Sequence, residues 1–172
     1  MAGQHFVLTP LGGGREIGGN AWHIEWDDLS FLIDCGTHPE RPAWLGLPAL
    51  DRIARLDFVI LTHAHSDHSG ALPALLRTHP VPVWMTDATS SLMGPMTQDA
   101  LKLQRRFFDI DRFGRSARPE LGPPLFEAED VERVFELQKS LDGGFSHSGL
   151  TVTPFCSGHI LGGVGLVLEK NS

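Results

Sequence analysis

No apolar run in this 172-residue sequence approaches the ~18–20 residues that a membrane-crossing helix needs, so a spanning role is not expected. The N-terminal stretch "MAGQHFVLTPLGGGREIGG" lacks the charged start, apolar centre and cleavage site of a secretory signal. Cysteine is scarce as well. Cys35 and Cys156 are far apart and neither has a CxxC partner, so two small buried thiols are expected rather than a disulfide framework. These absences point to a cytoplasmic chain without disulfides. Internal repeats and low-complexity tracts are also missing. Positive charge is in deficit, with 14 Lys and Arg against 21 Asp and Glu, and the net charge of −7 argues against nucleic-acid binding through bulk electrostatics.

What is present suits one globular domain with its own core, since 41% of the residues are hydrophobic and only 20% charged. The charge is uneven. Lys102, Arg105, Arg106, Arg112, Arg115 and Arg118 crowd together against only Asp109 and Asp111, and six acids then lie between Glu120 and Glu136 against Arg133. A solvated face is the ordinary explanation of such blocks, and a phosphate-contacting patch is the sharper one.

Periodicity predicts the order of elements. "HFVLTPLG" reads as a strand, followed by the glycine-rich "GGGREIGGN". "AWHIEWDDLSFLIDCG" reads as a β-hairpin turning at "DDLS". "PALDRIARL" has apolar residues at helical spacing, with Pro48 suited to a first turn. "DFVIL" is a short, fully apolar strand of the kind buried on both faces. "ALPALLRTH" reads as a helix and "VPVWMT" as a strand. "SSLMGPMTQDALKLQRRFF" reads as a helix broken near Gly94–Pro95. "RFGRSARPELGPP" is a loop, and "EAEDVERVFELQKSL" is a helix with Val131, Val134, Phe135 and Gln138 on one face. "LTVTPFCSG" and "GVGLVLEKN" close the chain as strands. Strands interleaved with helices predict a layered α/β domain.

The densest chemistry sits in "LTHAHSDHSGALP", directly after "DFVIL". His63 and His65, two apart on extended backbone, point the same way. The chain then turns into a helix, with Ser66 or Asp67 as its expected N-cap, which swings Asp67 and His68 to a neighbouring position. Imidazoles and a carboxylate so arranged suit two adjacent metal ions, zinc first, with iron or manganese as alternatives. The run Gly12 to Gly19 lacks the GKS/T ending of a phosphate loop and is expected to form a tight loop near the metal mouth. His5, His23, His38, His79 and His147 have no spaced partners and are expected to be surface or hydrogen-bonded side chains.

"THAHSDH" resembles the HxHxDH signature of the metallo-β-lactamase superfamily. "FLIDCG" is similar to its first motif, and "CSGHILGG" to the motif that supplies a further histidine. Taken with "LGGGREIGGN", the wording is most similar to the RNA-processing β-CASP branch, over Val7 to Leu168. The resemblance implies that His63, His65 and His159 hold one zinc. Asp67 and His68 would help to hold a second and form the catalytic pair. Asp34 would stand behind the ligands, fixing imidazole orientation through hydrogen bonds. Two such ions would activate a water for attack on phosphorus, and Lys102, Arg105 and Arg106 are the candidate RNA contacts.

The resemblance also implies parts this sequence lacks: a "GD"-type aspartate bridging both metals, a last ligand histidine, and the β-CASP insert. The expectation is therefore that residues 1–172 form the N-terminal portion of an αββα sandwich, a mixed sheet with flanking helices, inactive alone. An inner sheet face would be left uncovered, open to homo-oligomerisation or another partner. Three functions stay open: a ribonuclease acting on RNA, a small-molecule hydrolase of a thioester, lactone or β-lactam, and a non-catalytic interaction half.

Overall fold

Ala21–Trp26 (β2) and Leu29–Ile33 (β3) form an antiparallel hairpin that pairs Trp26 with Leu29, so its turn consists of Asp27 and Asp28 alone. Asp27 has a φ of 53°, the left-handed conformation that two-residue hairpin turns require and aspartate tolerates. The turn is thus shorter than "DDLS", because Leu29 and Ser30 already belong to the strand. The structure is a computed structural model and describes residues 5–42, 45–108 and 123–171.

Phe6–Gly12 (β1) lies antiparallel along the outside of β2. Beyond β3 the sheet continues in parallel through Phe58–Ile60 (β4), Val83–Met85 (β5) and Gln138–Ser140 (β6), in the order β1-β2-β3-β4-β5-β6. Parallel neighbours need crossovers, and these carry the helices. Ser66–Ser69 (α1) and Leu72–Thr78 (α2) link β4 to β5, and Asp87–Phe108 (α3) and Ala128–Glu136 (α4) link β5 to β6. A second, antiparallel sheet contains Phe145–His147 (β7), Leu150–Cys156 (β8) and Val164–Lys170 (β9).

Alternation of side chains along each strand divides the core in two. On one face of the large sheet, Leu32, Val59, Val83 and Met85 meet Leu72, Leu75, Leu76, Met93 and Val134 from the helices. On the other, Ile24, Phe31, Phe58 and Ile60 meet Leu150 and Val152 from the small sheet and Leu141 from the segment just after β6. Phe58 stacks on Phe31 at 4.9 Å and meets Phe145 edge-on at 5.5 Å. This is the expected mixed α/β layering, with β4 buried on both faces.

Three predicted elements differ. "PALDRIARL" yields only a 3-10 turn at Leu50–Arg52, because Ile53 and Leu56 are drawn into the core from non-helical backbone. A stretch this short gains too little from helix propagation to resist that. Conversely, α3 runs unbroken through Gly94–Pro95, since Met93 is fully buried and anchors the helix ahead of the lost backbone bond. The helix over "EAEDVERVFELQKSL" stops at Glu136, and "QKS" becomes β6, paired in parallel with β5. The strand β7 had no sequence signal.

The uncovered surface also differs from expectation. The centre of the large sheet is covered on both faces. Phe6 and Leu8, at the β1 edge of its inner face, stay half exposed, as do Phe155 and Val167 on the outer face of the small sheet. Both thiols are free, Cys35 buried and Cys156, against expectation, exposed on the small sheet. Among the described residues, no helix is long and apolar enough to cross a membrane.

Candidate metal centre

Because β3 and β4 run in parallel, with Ile33 beside Ile60, their carboxyl ends open onto one place. Asp34 follows the first and Thr62 to His65 follow the second, and the crevice beyond parallel strand ends is where α/β sheets bind ligands. Asp34 is 3% exposed and has a φ of 60°. Its carboxylate accepts from the Thr62 N–H at 2.8 Å, from the Thr62 hydroxyl at 2.8 and 2.9 Å, and from His68 Nδ1–H at 2.7 Å.

These bonds dictate which imidazole nitrogens are free. The Thr62 hydroxyl gives its one proton to Asp34, so at its 3.0 Å contact with His63 Nδ1 it must accept. His63 is therefore an Nδ1–H tautomer with a lone pair on Nε2, and that buried atom has no hydrogen-bond partner. An orphaned buried acceptor is costly unless something absent from the protein completes it. Burial, with the neighbouring His68, pushes the His63 imidazole down to about 4, so the ring is neutral and ready to coordinate at physiological pH.

His159 comes from the other sheet, in the turn between β8 and β9. The hydroxyls of Thr86 and Thr89, at the start of α3, both reach the Gly162 carbonyl, at 2.9 and 3.0 Å. The Val164 N–H donates to the Thr62 carbonyl at 3.0 Å, stitching this turn to the strand that carries His63. The three rings of His63, His65 and His159 then lie 4.9–5.0 Å apart between centroids, and each offers a nitrogen within 4.8 Å of the others. His63 is buried, His65 half-buried and His159 exposed. Three converging imidazoles with one orphaned lone pair fit a divalent ion.

Asp67 and His68 stand beside this trio rather than in it. Asp67 Oδ2 and His68 Nε2 are 3.5 Å apart, and the His68 ring lies 4.0 Å from that of His63. Burial opposes a charge on His68, but the hydrogen bond to Asp34 and the charges of Asp34 and Asp67 raise its pKa above the ordinary imidazole value. The N-cap of α1 is His65, without a side-chain cap, and not Ser66 or Asp67; Ser69 instead donates its hydroxyl to the Ala64 and His65 carbonyls. Gly36 makes the close approach possible, because a Cβ there would lie 1.8 Å from the Asp67 carbonyl oxygen.

Asn20 was not anticipated. Its backbone N–H donates to the Asp67 carbonyl at 2.8 Å, and its side chain faces His68 Nε2 at 3.1 Å. The only hint was its place at the end of the glycine run, which returns against the α1 turn, as expected of a loop at the metal mouth. Lys102, Arg105 and Arg106 lie far from this centre. Arg105 is sixteen residues beyond Thr89 on α3, roughly 24 Å at helical rise, and it pairs with Glu127. Arg112, Arg115 and Arg118 lie outside the described residues. Of the other histidines, His23 is buried against the Ser30 hydroxyl at 2.8 Å, and His147 packs edge-on to Phe58 at 5.4 Å.

The profile of the metallo-beta-lactamase superfamily matches residues 14–161. The chain is similar to the cleavage and polyadenylation specificity factor subunit 3 of Dictyostelium discoideum, with 27% identity over 94% of this chain and 20% of that protein. It is also similar to the endoribonuclease ysh-1 of Neurospora crassa, with 27% identity over 96% of this chain and 19% of that one. The chain thus spans about a fifth of the length of these curated relatives. Among solved structures, an archaeal metallo-beta-lactamase superfamily protein from Sulfolobus tokodaii aligns over 98% of this chain and 61% of its own, at a TM-score of 0.55 and 17% identity. A diphosphatase of the PhnP family aligns over 95% of this chain and 62% of its own, at 0.53 and 15%. These last two likenesses concern the fold alone.

Proposed function

The chain belongs to the metallo-beta-lactamase superfamily, and on that premise we propose that it is the N-terminal, metal-binding portion of a β-CASP-type ribonuclease that hydrolyses RNA phosphodiester bonds at a di-zinc centre. The observation that carries the proposal is the meeting of His159 with His63 and His65 around an unpartnered, buried Nε2. The names of the relatives, a cleavage and polyadenylation specificity factor subunit and an endoribonuclease, support RNA as the substrate class.

In this proposal His63, His65 and His159 hold one ion, and Asp67 and His68 contribute to a second. Bound there, a divalent pair would supply Lewis acidity and an acidified water, which phosphodiester hydrolysis at neutral pH requires. Asp34 sets the tautomers on both sides, directly at His68 and through the Thr62 hydroxyl at His63. Asp67 keeps an acceptor carboxylate at the same mouth. The bridging aspartate and last histidine of the superfamily would come from outside these residues, so the chain by itself is expected to cleave RNA negligibly.

Zinc calorimetry on the chain, with folding followed by circular dichroism, tests the metal assignment. His159→Ala is expected to weaken the tight zinc step by more than about a hundredfold while leaving the fold intact. Cleavage of labelled single-stranded RNA by the full gene product, abolished by His65→Ala, tests the substrate. Turnover of a thioester or lactone without RNA cleavage would overturn the RNA assignment, and an absence of zinc binding would overturn the metal one.

A further inference from the structure

Asn20 meets the second half of the centre through one amide. Its Nδ2 lies 3.2 Å from the Asp67 carbonyl oxygen, 3.5 Å from Asp67 Oδ2 and 3.1 Å from His68 Nε2. The Asp67 carbonyl can only accept, so the amide nitrogen, not its oxygen, must face this group. The amide oxygen is packed against Gly13, where a Cβ would come within 2.5 Å of it. In the neutral ring His68 donates its Nδ1–H to Asp34, which leaves the lone pair on Nε2 to accept from Asn20.

His63 has the same tautomer, set by the same carboxylate through Thr62, yet its Nε2 touches no donor. Asp34 therefore presents two lone pairs toward the cleft. One is open and the other is capped by Asn20.

We propose that Asn20 is a positioning residue that competes with the second metal ion for His68 Nε2. The ion at Asp67 and His68 then binds after the one at His63, His65 and His159, and more weakly, because it must displace the amide. Asn20 stays in place after release, since its backbone N–H and Nδ2 still have the Asp67 carbonyl. A second site of graded affinity makes the centre respond to the free zinc concentration. This inference rests on the metal assignment above.

The test uses the full gene product, which would supply the second ion's remaining ligands, labelled with 15N, at about pH 8, above the ordinary imidazole range. In the metal-free chain, Asn20→Ala is expected to shift the His68 Nε2 resonance toward that of an unbonded acceptor. In the unsubstituted chain, the first equivalent of zinc should leave the Asn20 side-chain NH2 signals in place, and the second should move them. By calorimetry, Asn20→Ala should tighten the second zinc step about tenfold, the worth of one displaced hydrogen bond, with the first step unchanged. Two bound zinc ions with the Asn20 signals unmoved, a second step unchanged or weakened in Asn20→Ala, or a single bound zinc with and without the Asn20 amide, would overturn the competition alone. An absence of any zinc binding would overturn it together with the metal assignment. The readout on the unsubstituted chain decides the matter even if the variant fails to fold.

Discussion

His63 and His65 stand on a segment fixed from every side, whereas His159 stands on an exposed turn held by a few bonds, among them its own ring contact with His65 Nδ1 at 3.3 Å. Around the first, Leu61 and Ala64 are fully buried, Ser69 closes the backbone, and Asp34 gathers Thr62 and His68. Around the second, Ser157 to His159 are exposed, Leu161 is 73% exposed, and the anchors are two threonine hydroxyls, the Val164 N–H and the contact of the His159 ring with His65. One half of the centre is preorganised by the core of the large sheet. The other reaches it through a latch between α3 and the small sheet. An ion bound by all three histidines would thus also tie one sheet to the other, and zinc affinity becomes a reporter of how well the latch is set.

Gly36→Ala should erase the distinction, because the added Cβ would strike the Asp67 carbonyl in the preorganised half. Urea unfolding is expected to show a loss above about 3 kcal/mol, and a near-neutral result would mean that α1 is not held as rigidly as it looks. Thr89→Val targets the latch instead. It removes one fully buried hydroxyl from the Gly162 carbonyl, with an expected cost of about 1 kcal/mol and a several-fold weaker zinc step. Calorimetry showing zinc affinity unchanged would detach His159 from the latch. Asp130→Asn, remote from both loops, should change stability but not zinc affinity. The hydrogen bond from Arg77 holds the Asp130 carboxyl below the usual carboxylate range, and the same side chain accepts the Glu127 N–H at the start of α4. A depressed carboxyl stabilises the fold above its unfolded pKa, and that stability fades as pH falls through the lower folded value. The variant should therefore lose about 1 kcal/mol at neutral pH and show a flatter acid limb in urea unfolding from pH ~6 to ~2.

Much of the architecture was legible from local pattern. The hairpin of β2 and β3, the buried β4, and α2 after the histidine motif all follow from periodicity and turn residues over a few positions. The failures have a common cause. Ile53 and Leu56 left a helical pattern for the core, Met93 held α3 together across Pro95, and Gln138 left a helix face to pair with Val83. In each, packing or pairing with distant residues outweighed a local preference worth at most a few kcal/mol. At the centre, spacing alone brought His63 near His65, because extended backbone alternates its side chains. Beyond its place at the end of the glycine run, nothing local announced Asn20, whose partners are 47 and 48 positions away.

The composition and motifs by themselves determined the layered class, the strand that ends in imidazoles, and the kind of chemistry those side chains can do, since these depend on residue type and short-range geometry. The motif resemblance anticipated His159 beside them and Asp34 behind them. Only the folded chain decided that His159 would come from the other sheet, that Asp34 would act on His63 through Thr62, and that one lone pair would be capped while another had no donor. Those outcomes depend on atoms far apart in sequence coming within hydrogen-bonding distance, and long-range packing alone sets such distances.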